Sequence, residues 1–361
     1  MGNDITDIQY KKVRDRIAWI DMLRVMAISS VLLVHILGTL FNILNLEYVL
    51  HLSEIEQGLL FFFHIVGRLG VPLFLMISGY LLLDKEYTYN RSMHFYKCNL
   101  LNLFISTEIW IVIYNLIMCF YAKESIDLFR LLKEMLFFKY TSINHLWYLP
   151  MIIGLYLFIP IISTMLKNIE LRLLLIPYIV SIFFVFCVPI ANILFLCLGK
   201  TSLKYIIDLD FSGGVYGIYL IMGYLLKKDI LKKIKMKYLV LCSSSAIVLL
   251  IFLIKCAYEH GIVYDLWYDN CLLFIIAICI FEMISRMHIQ NNIVLETISR
   301  MSFGIYLVHN TFIIFLSNVI NIDIIQIKFI CLYIITFVGS LLLVYLISRN
   351  KNLGLWLFYI K

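Results

Sequence analysis

An all-α, polytopic integral membrane protein of about ten transmembrane helices is the fold class this sequence predicts, and three observations carry that prediction. Hydrophobic residues make up 63% of the 361 positions and charged residues only 15%, where soluble domains run at about half and about a quarter. The apolar residues come in runs long enough to cross a bilayer, which takes about 20 residues as a helix. The basic residues, which leave a formal net charge of +7, fall almost wholly in the short segments between those runs. This composition excludes a disordered chain, a disulfide-stapled secreted domain and a nucleic-acid binder.

The runs follow one another along the chain, with residues 1–16 as a segment before them, 17–348 as one membrane domain and 349–361 as a tail. The first, 17–41, is too long for a removable signal and lacks a small-residue cleavage site, so it is expected to remain as a span. The second, 58–83, carries Gly67, Arg68, Gly70 and Pro72 in its middle, which predicts a kink or break. After the third, 98–121, the alternating charges of 122–144 predict an amphipathic helix lying on the membrane rather than crossing it. Spans at 146–166 and 171–190 follow, then a short glycine-rich one at 211–226, a lysine-rich turn at 227–237, and spans at 238–257, 266–285, 301–320 and 327–348. No CxxC or Cys/His spacing among the nine cysteines suggests a metal site, so they are expected to act as small hydrophobes.

Lysine and arginine counts set the orientation. With the N-terminus cytoplasmic, inner segments carry 20 basic residues and outer segments 8, so both termini are expected on the cytoplasmic side. Only Arg24 and Arg68 fall inside spans.

Ionisable groups within a span are costly and face a protein interior or aqueous cavity, so each is a candidate site residue. The first span holds Asp21, Arg24 and His35. Asp21 and Arg24 share a helix face at three-residue spacing, and His35 returns to that face near three turns later. At 1.5 Å per residue Asp21 and His35 stand about 21 Å apart along the axis, so Asp21 cannot orient the histidine ring. The Asp21–Arg24 pair fits either a functional role or an interfacial ion pair that sets helix depth. Arg68 fits either a cavity wall or a snorkelling side chain, and His64 a structural role. His145 opens its span beside Trp147 and Tyr148, which on their own read as an interfacial aromatic anchor. Ser302, Tyr306, His309 and Asn310 form a polar stripe on the ninth span. Glu108 is deep enough to orient a catalytic group, and Glu282 is expected to be solvated near the inner surface.

Four segments in order resemble a known family. They are Arg16-Ile-Ala-Trp-Ile-Asp21-Met-Leu-Arg24 with His35 following, Arg68-Leu-Gly-Val-Pro72-Leu-Phe-Leu-Met-Ile-Ser78-Gly79-Tyr80, His145-Leu-Trp147-Tyr-Leu, and Ser302-Phe-Gly-Ile-Tyr306-Leu-Val-His309. Together they resemble the acyltransferase 3 family of integral membrane O-acyltransferases, closest to its surface-polysaccharide branch, which includes the O-acetyltransferase of enterobacterial common antigen. The resemblance implies a ten-helix domain in the cell membrane that takes an acyl group, usually acetyl from cytoplasmic acetyl-CoA, and places it on a glycan hydroxyl. It implies a catalytic His35 and an essential Arg24. Many members carry an arginine cluster at the start of the third helix for the CoA donor. This chain has only Arg91 and Lys97 there, with Cys98 and Asn102 where a basic cluster is expected.

The chemistry of the residues fits that implication. Acyl transfer from a thioester to a hydroxyl needs a base for the hydroxyl proton and donors for the oxyanion. His35 is the candidate base, and Asp21, Arg24, Arg91 and Lys97 are the candidates for the donor phosphates. Arg68, Ser78, Tyr80, His145, Trp147, Tyr306 and His309 are the candidates for the acceptor and oxyanion side. A transporter or flippase of a glycan or small solute would line its pathway with the same polar residues, but such folds pair broken helices in two repeats. Only one broken helix is evident here.

Overall fold

A computed structural model describes residues 17–360 except 124, 126 and 142; residues 1–16 and Lys361 lie outside the described residues. The described chain is helical with no strand, and eight helices are long and apolar enough to cross a membrane, with two shorter apolar helices beside them. Those ten coincide with the ten predicted runs.

The first span is α1 (Ala18–Leu40), followed by a short α2 (Leu46–His51). The second is broken as expected: α3 (Glu54–Arg68) stops and α4 (Gly70–Leu82) starts across Leu69. Ser53 and Glu56 close a capping box at the start of α3, which satisfies backbone N–H groups that have no partner within the helix. α5 (Tyr89–Phe95) runs through a π-helical turn, Tyr96–Leu100, into α6 (Leu101–Ala122). α7 (Leu128–Met135) is the amphipathic helix of the 122–144 segment, tied down by Glu134, which is buried and bonded by Asn115 Nδ2 at 2.9 Å and Arg130 Nε at 3.1 Å. α8 (Tyr148–Asn168) follows a 3₁₀ turn at Asn144–Trp147. α9 (Leu171–Ile182) and α10 (Val188–Cys197) form one span through a second π turn, Phe183–Cys187. The rest are α11 (Gly214–Lys227), α12 (Met236–Glu259), α13 (Cys271–Ser285), α14 (Ile293–Val319), α15 (Ile325–Ser348) and α16 (Lys351–Phe358).

α1 is the central element, packed on α3, α4, α13, α14 and α15. Glycine lets it approach the broken span: a Cβ on Gly67 would lie 2.9 Å from Val34 Cβ, and one on Gly70 would lie 2.7 Å from Ala27 O. The tightest crossing joins α4 to α11. There a Cβ on Gly79 would fall 1.8 Å from Leu220 O, and one on Gly223 would fall 2.0 Å from Met76 O. Small residues of this kind let helix backbones meet where lipid supplies no hydrophobic drive. Outward faces are apolar: Ile176, Ile179 and Phe183 on the fifth span and Ile330, Ile334, Leu342 and Leu346 on α15 are all exposed, as a lipid-facing surface requires.

Segments assigned to the same side by their charge meet at the same end of the bundle. Asp84, beyond α4, pairs with Lys228 at 2.6 Å and Lys227 at 3.3 Å. Arg286 donates to Leu231 O at 2.7 Å and to Ile234 O at 2.5 Å. The same Arg286 reaches Glu282 Oε1 at 2.5 Å, and Glu282 is 7% exposed. Glu282 is therefore a buried ion-pair partner rather than a solvated residue, because its own helix brings Arg286 back over it one turn later. At the other end, Arg68 pairs with Asp265, and Lys255 pairs with Glu54. Residues 349–360 are not a free tail: α16 packs on α6, α14 and α15, with Phe358 fully buried.

Partial burial pushes the Asp84 carboxyl up, but hydrogen bonds from Lys228 and Lys227 outweigh it and hold it below the ordinary carboxylate range. The bond to Asp84 likewise raises the Lys228 ammonium. The pair's contribution is thus present above the unfolded carboxyl pKa of about 3.9 and is lost as pH falls through the lower folded value. It is lost on the alkaline side as pH rises past about 10.4 and through the raised lysine value. Asp84→Asn is expected to cost about 1 kcal/mol near neutral pH, the screened worth of a partly exposed pair. Thermal unfolding in detergent at pH 7 checks this, and the difference should shrink below pH 4.

Candidate active site

A cavity of about 770 Å³ opens among α1, α4, α8 and α14, walled also by residues of α6, its π turn and the end of α16. That volume lies within the usual range for small-molecule sites, about 300–1,000 Å³. Its polar end holds Asp21, Arg24, Lys85, Asn99 and Arg300, from helix ends that carry the lysine-rich turn's charge sign. The π turn, which inserts an extra residue into the helix, places Asn99 in the wall. Ser299 donates to Asp21 Oδ1 at 2.5 Å, and Arg24 stands 3.6 Å from the same oxygen. Asp21 is buried while the Arg24 side chain is 32% exposed. The carboxylate is thus held from two sides, and the guanidinium keeps a face on the cavity. Further in, the Ser78 and Tyr156 hydroxyls share a hydrogen bond at 3.1 Å, and Tyr148 and Tyr306 complete the wall.

Tyr306 marks the far end. On its other side lie three histidines from three separate helical segments: His35 of α1, His145 of the 3₁₀ turn before α8, and His309 of α14. Their ring centroids form a triangle, His35 to His309 at 5.1 Å, His145 to His309 at 5.1 Å and His35 to His145 at 6.0 Å. Tyr306 touches two of them, its ring 5.7 Å from that of His145 and 5.9 Å from that of His309. Its hydroxyl donates to His145 O at 2.5 Å and so fixes the turn that presents His145. Tyr114 closes the cluster edge-on to His145 at 5.0 Å.

One tautomer follows from the geometry. His309 Nδ1 lies 2.6 Å from Tyr306 O. A carbonyl oxygen can only accept, so Nδ1 carries the proton and the neutral ring keeps its lone pair on Nε2. That Nε2 is buried and has no protein partner, and neither has either ring nitrogen of His145. Buried polar atoms are almost always satisfied, so these three nitrogens are the cluster's candidates for contact with a bound group.

The family model for the acyltransferase domain of the acyltransferase 3 family matches residues 17–349. The chain belongs to that family. It is a multi-pass membrane acyltransferase. No curated protein and no solved structure matches it.

The candidate residues of this acyltransferase separate into groups. Asp21, Arg24, Ser78 and Tyr306 line the cavity, while His35, His145 and His309 meet beyond Tyr306. Arg68 and Trp147 meet in a third cluster. Arg68 pairs with Asp265 at 2.8 Å, donates from Nε to His64 Nε2 at 3.3 Å, and lies 4.9 Å over the Trp267 ring. Trp147 packs on Trp267 at 5.4 Å and Tyr216 at 5.5 Å. Tyr80 is outside the cavity lining, packed on Trp19 at 5.0 Å with Lys227 above it at 5.5 Å. Arg91 and Lys97 are exposed and also outside the lining; Arg91 pairs with Glu86 at 3.4 Å. Glu108 is likewise absent from the lining. Sequence reasoning did not single out Lys85, Asn99, Ser299 and Arg300 as site residues. The available signal for Lys85 and Arg300 was their position at the ends of the second and ninth spans, on the side of the first span's Arg24.

Proposed function

We propose that this membrane acyltransferase moves an acyl group, most simply acetyl, from acyl-CoA to a hydroxyl of a cell-surface polysaccharide or lipid-linked glycan, with His35 as general base. One observation carries the reading: a cavity with a cationic mouth runs inward to Tyr306, and a cluster of histidines with open ring nitrogens lies directly behind that residue. A phosphorylated donor needs cations at its head, and Arg24, Lys85 and Arg300 supply them, with Arg91 and Lys97 adding charge on the same side. With the lysine-rich end cytoplasmic and the protein in the cell membrane, the donor enters from the cytoplasm. Its elongated arm then brings the thioester toward Tyr306.

The acceptor hydroxyl attacks the thioester carbonyl, and His35 takes its proton as the C–O bond forms. The oxyanion is met by a hydrogen-bond donor at the junction, for which the His145 ring is the nearest side chain, its turn held by the Tyr306 hydroxyl. Collapse expels the CoA thiolate, which regains the proton from His35. His309, locked with its proton on Nδ1, packs its ring against His35 at 5.1 Å and so helps to hold that ring in place. Arg68 and Trp147 belong to the acceptor end. The protein itself supplies no acyl donor and needs acyl-CoA as a substrate.

The test gives detergent-purified protein labelled acetyl-CoA and a membrane fraction of lipid-linked glycan. Label transfer to glycan that depends on His35 supports the assignment; movement of glycan without transfer supports the transporter. Arg300→Gln, at the exposed rim, is expected to raise the acyl-CoA KM about tenfold or more, the worth of one charged hydrogen bond, while kcat changes little. A fall in kcat with an unchanged KM would place Arg300 elsewhere in the reaction.

A further inference from the structure

We propose that Cys197, Cys256 and His260 form a binding site for one Zn²⁺ ion at the end of the bundle opposite the lysine-rich turn. The site is independent of the acyl-transfer reading. Cys197 is the last residue of α10, while Cys256 and His260 lie one turn apart at the end of α12. Spacing of i and i+4 puts two ligands on one helix face, the arrangement that paired zinc ligands on helices use. The third comes from the neighbouring helix, since α10 and α12 pack together.

Among the described residues these three are the one group of His, Cys, Asp or Glu side chains whose ligand atoms converge, all lying within 4.8 Å of one another. Cys256 Sγ is 3.7 Å from His260 Nδ1. Ligands at about 2.0–2.3 Å in a tetrahedron stand about 3.5–3.8 Å apart, so that pair already has the separation a zinc ion needs. The Cys197 Sγ lies within 4.8 Å of both. Gly261, at φ +75°, ends α12 directly after His260 and leaves the ring at the helix rim. His260 Nδ1 now lies 2.8 Å from Cys256 O. Metal ligation would replace that bond.

The donor set selects the ion. Two thiolates and an imidazole favour zinc over hard cations such as Mg²⁺ or Ca²⁺. Two thiolates also balance the charge of Zn²⁺, and the two thiol protons leave to solvent on binding. Both cysteines are half-buried and His260 is exposed, so the fourth position faces out and takes a water. The consequence is mechanical. The end of α12 is already tied to α3 through Lys255 and Glu54 and to the α1–α2 connection through Tyr258 and Ile43. The metal would bind the end of α10 to that anchored point, ahead of the exposed 200–208 segment.

Purified, reduced full-length protein in detergent, stripped with a chelator, is titrated with Zn²⁺ while binding and thermal unfolding are followed. The expected result is one tight Zn²⁺ per chain and a higher unfolding temperature when it is bound. Cys256→Ser and Cys197→Ser should each weaken binding about 100-fold or more, and His260→Ala by at least about tenfold, since each removes one ligand of three. Cd²⁺ should give a thiolate-to-metal absorption band that Cys256→Ser reduces. His260→Ala leaves every thiol in place, so its loss of affinity cannot come from misfolding around a missing cysteine. Equal Zn²⁺ affinity in the wild type and His260→Ala would overturn the proposal. So would a Cys197–Cys256 disulfide in peptide maps of protein prepared without reductant.

Discussion

Replacing His35 with Ala is expected to lower acyl transfer to glycan by about 10²–10⁴-fold, the usual worth of a general base, with little change in the KM for acyl-CoA. The split follows from the geometry. His35 is separated from the cavity's polar end by about 21 Å of helix, so it has no part in holding the donor's charged head. Its neighbours are His145 and His309, across Tyr306 from the cavity. Steady-state kinetics with acyl-CoA varied at saturating glycan checks both halves. A His35→Ala protein that transfers label at more than half the wild-type rate would remove His35 from the chemistry. His309→Gln provides an internal comparison: it disrupts the tautomer lock to Tyr306 O and should lower kcat less than His35→Ala does.

The second large effect is on folding. Gly79→Ala and Gly223→Ala are each expected to destabilise the protein by about 3 kcal/mol or more, at the top of the overpacking range. In both cases the new methyl would meet a backbone carbonyl, Leu220 O at 1.8 Å or Met76 O at 2.0 Å. No side chain can turn aside to relieve such a clash, so α4 and α11 must separate. Separation would displace Ser78, one residue from the crossing and part of the cavity wall, and the Asp84 pairs at the end of the same two helices. Gly154→Ala on α8 is the control, because nothing lies within 4 Å of its added methyl. Monodispersity and thermal unfolding in detergent read the outcome; Gly79→Ala within 0.5 kcal/mol of wild type would sink the argument.

Much of the fold was legible because lipid imposes a simple rule on composition: every span must be long, apolar and internally hydrogen-bonded. The ten runs, the break beside Gly67 and Gly70, and the amphipathic helix in 122–144 all follow from that rule. What escaped was set by tertiary approach. His145 sits beside Trp147 and Tyr148 in a pattern that also describes an ordinary membrane-interface belt, and only packing shows its ring turned inward to His35 and His309. Glu282 was misplaced because nearness to a helix end does not reveal that Arg286 covers it. Arg91 and Lys97 were the nearest cations in sequence to the third helix, yet Lys85, just beyond α4, and Arg300, on α14, reach the cavity. Of the cysteine–histidine group, Cys256 and His260 stand four apart in sequence, but Cys197 joins them from a helix separated by the whole of α11, which only packing shows.

The closing helix, α16, bears on how this protein is handled. Phe358, Tyr359 and Ile360 form part of the cavity wall, and Ser106 and Trp110 both donate to Leu357 O, at 2.7 and 2.8 Å. A fluorescent or alkaline-phosphatase reporter joined after Ile360 would therefore emerge beside the cavity and crowd it. Loss of activity in such a fusion would report crowding rather than topology. The 200–208 segment, exposed throughout, is the better place to insert an epitope when the two faces of the membrane are to be told apart.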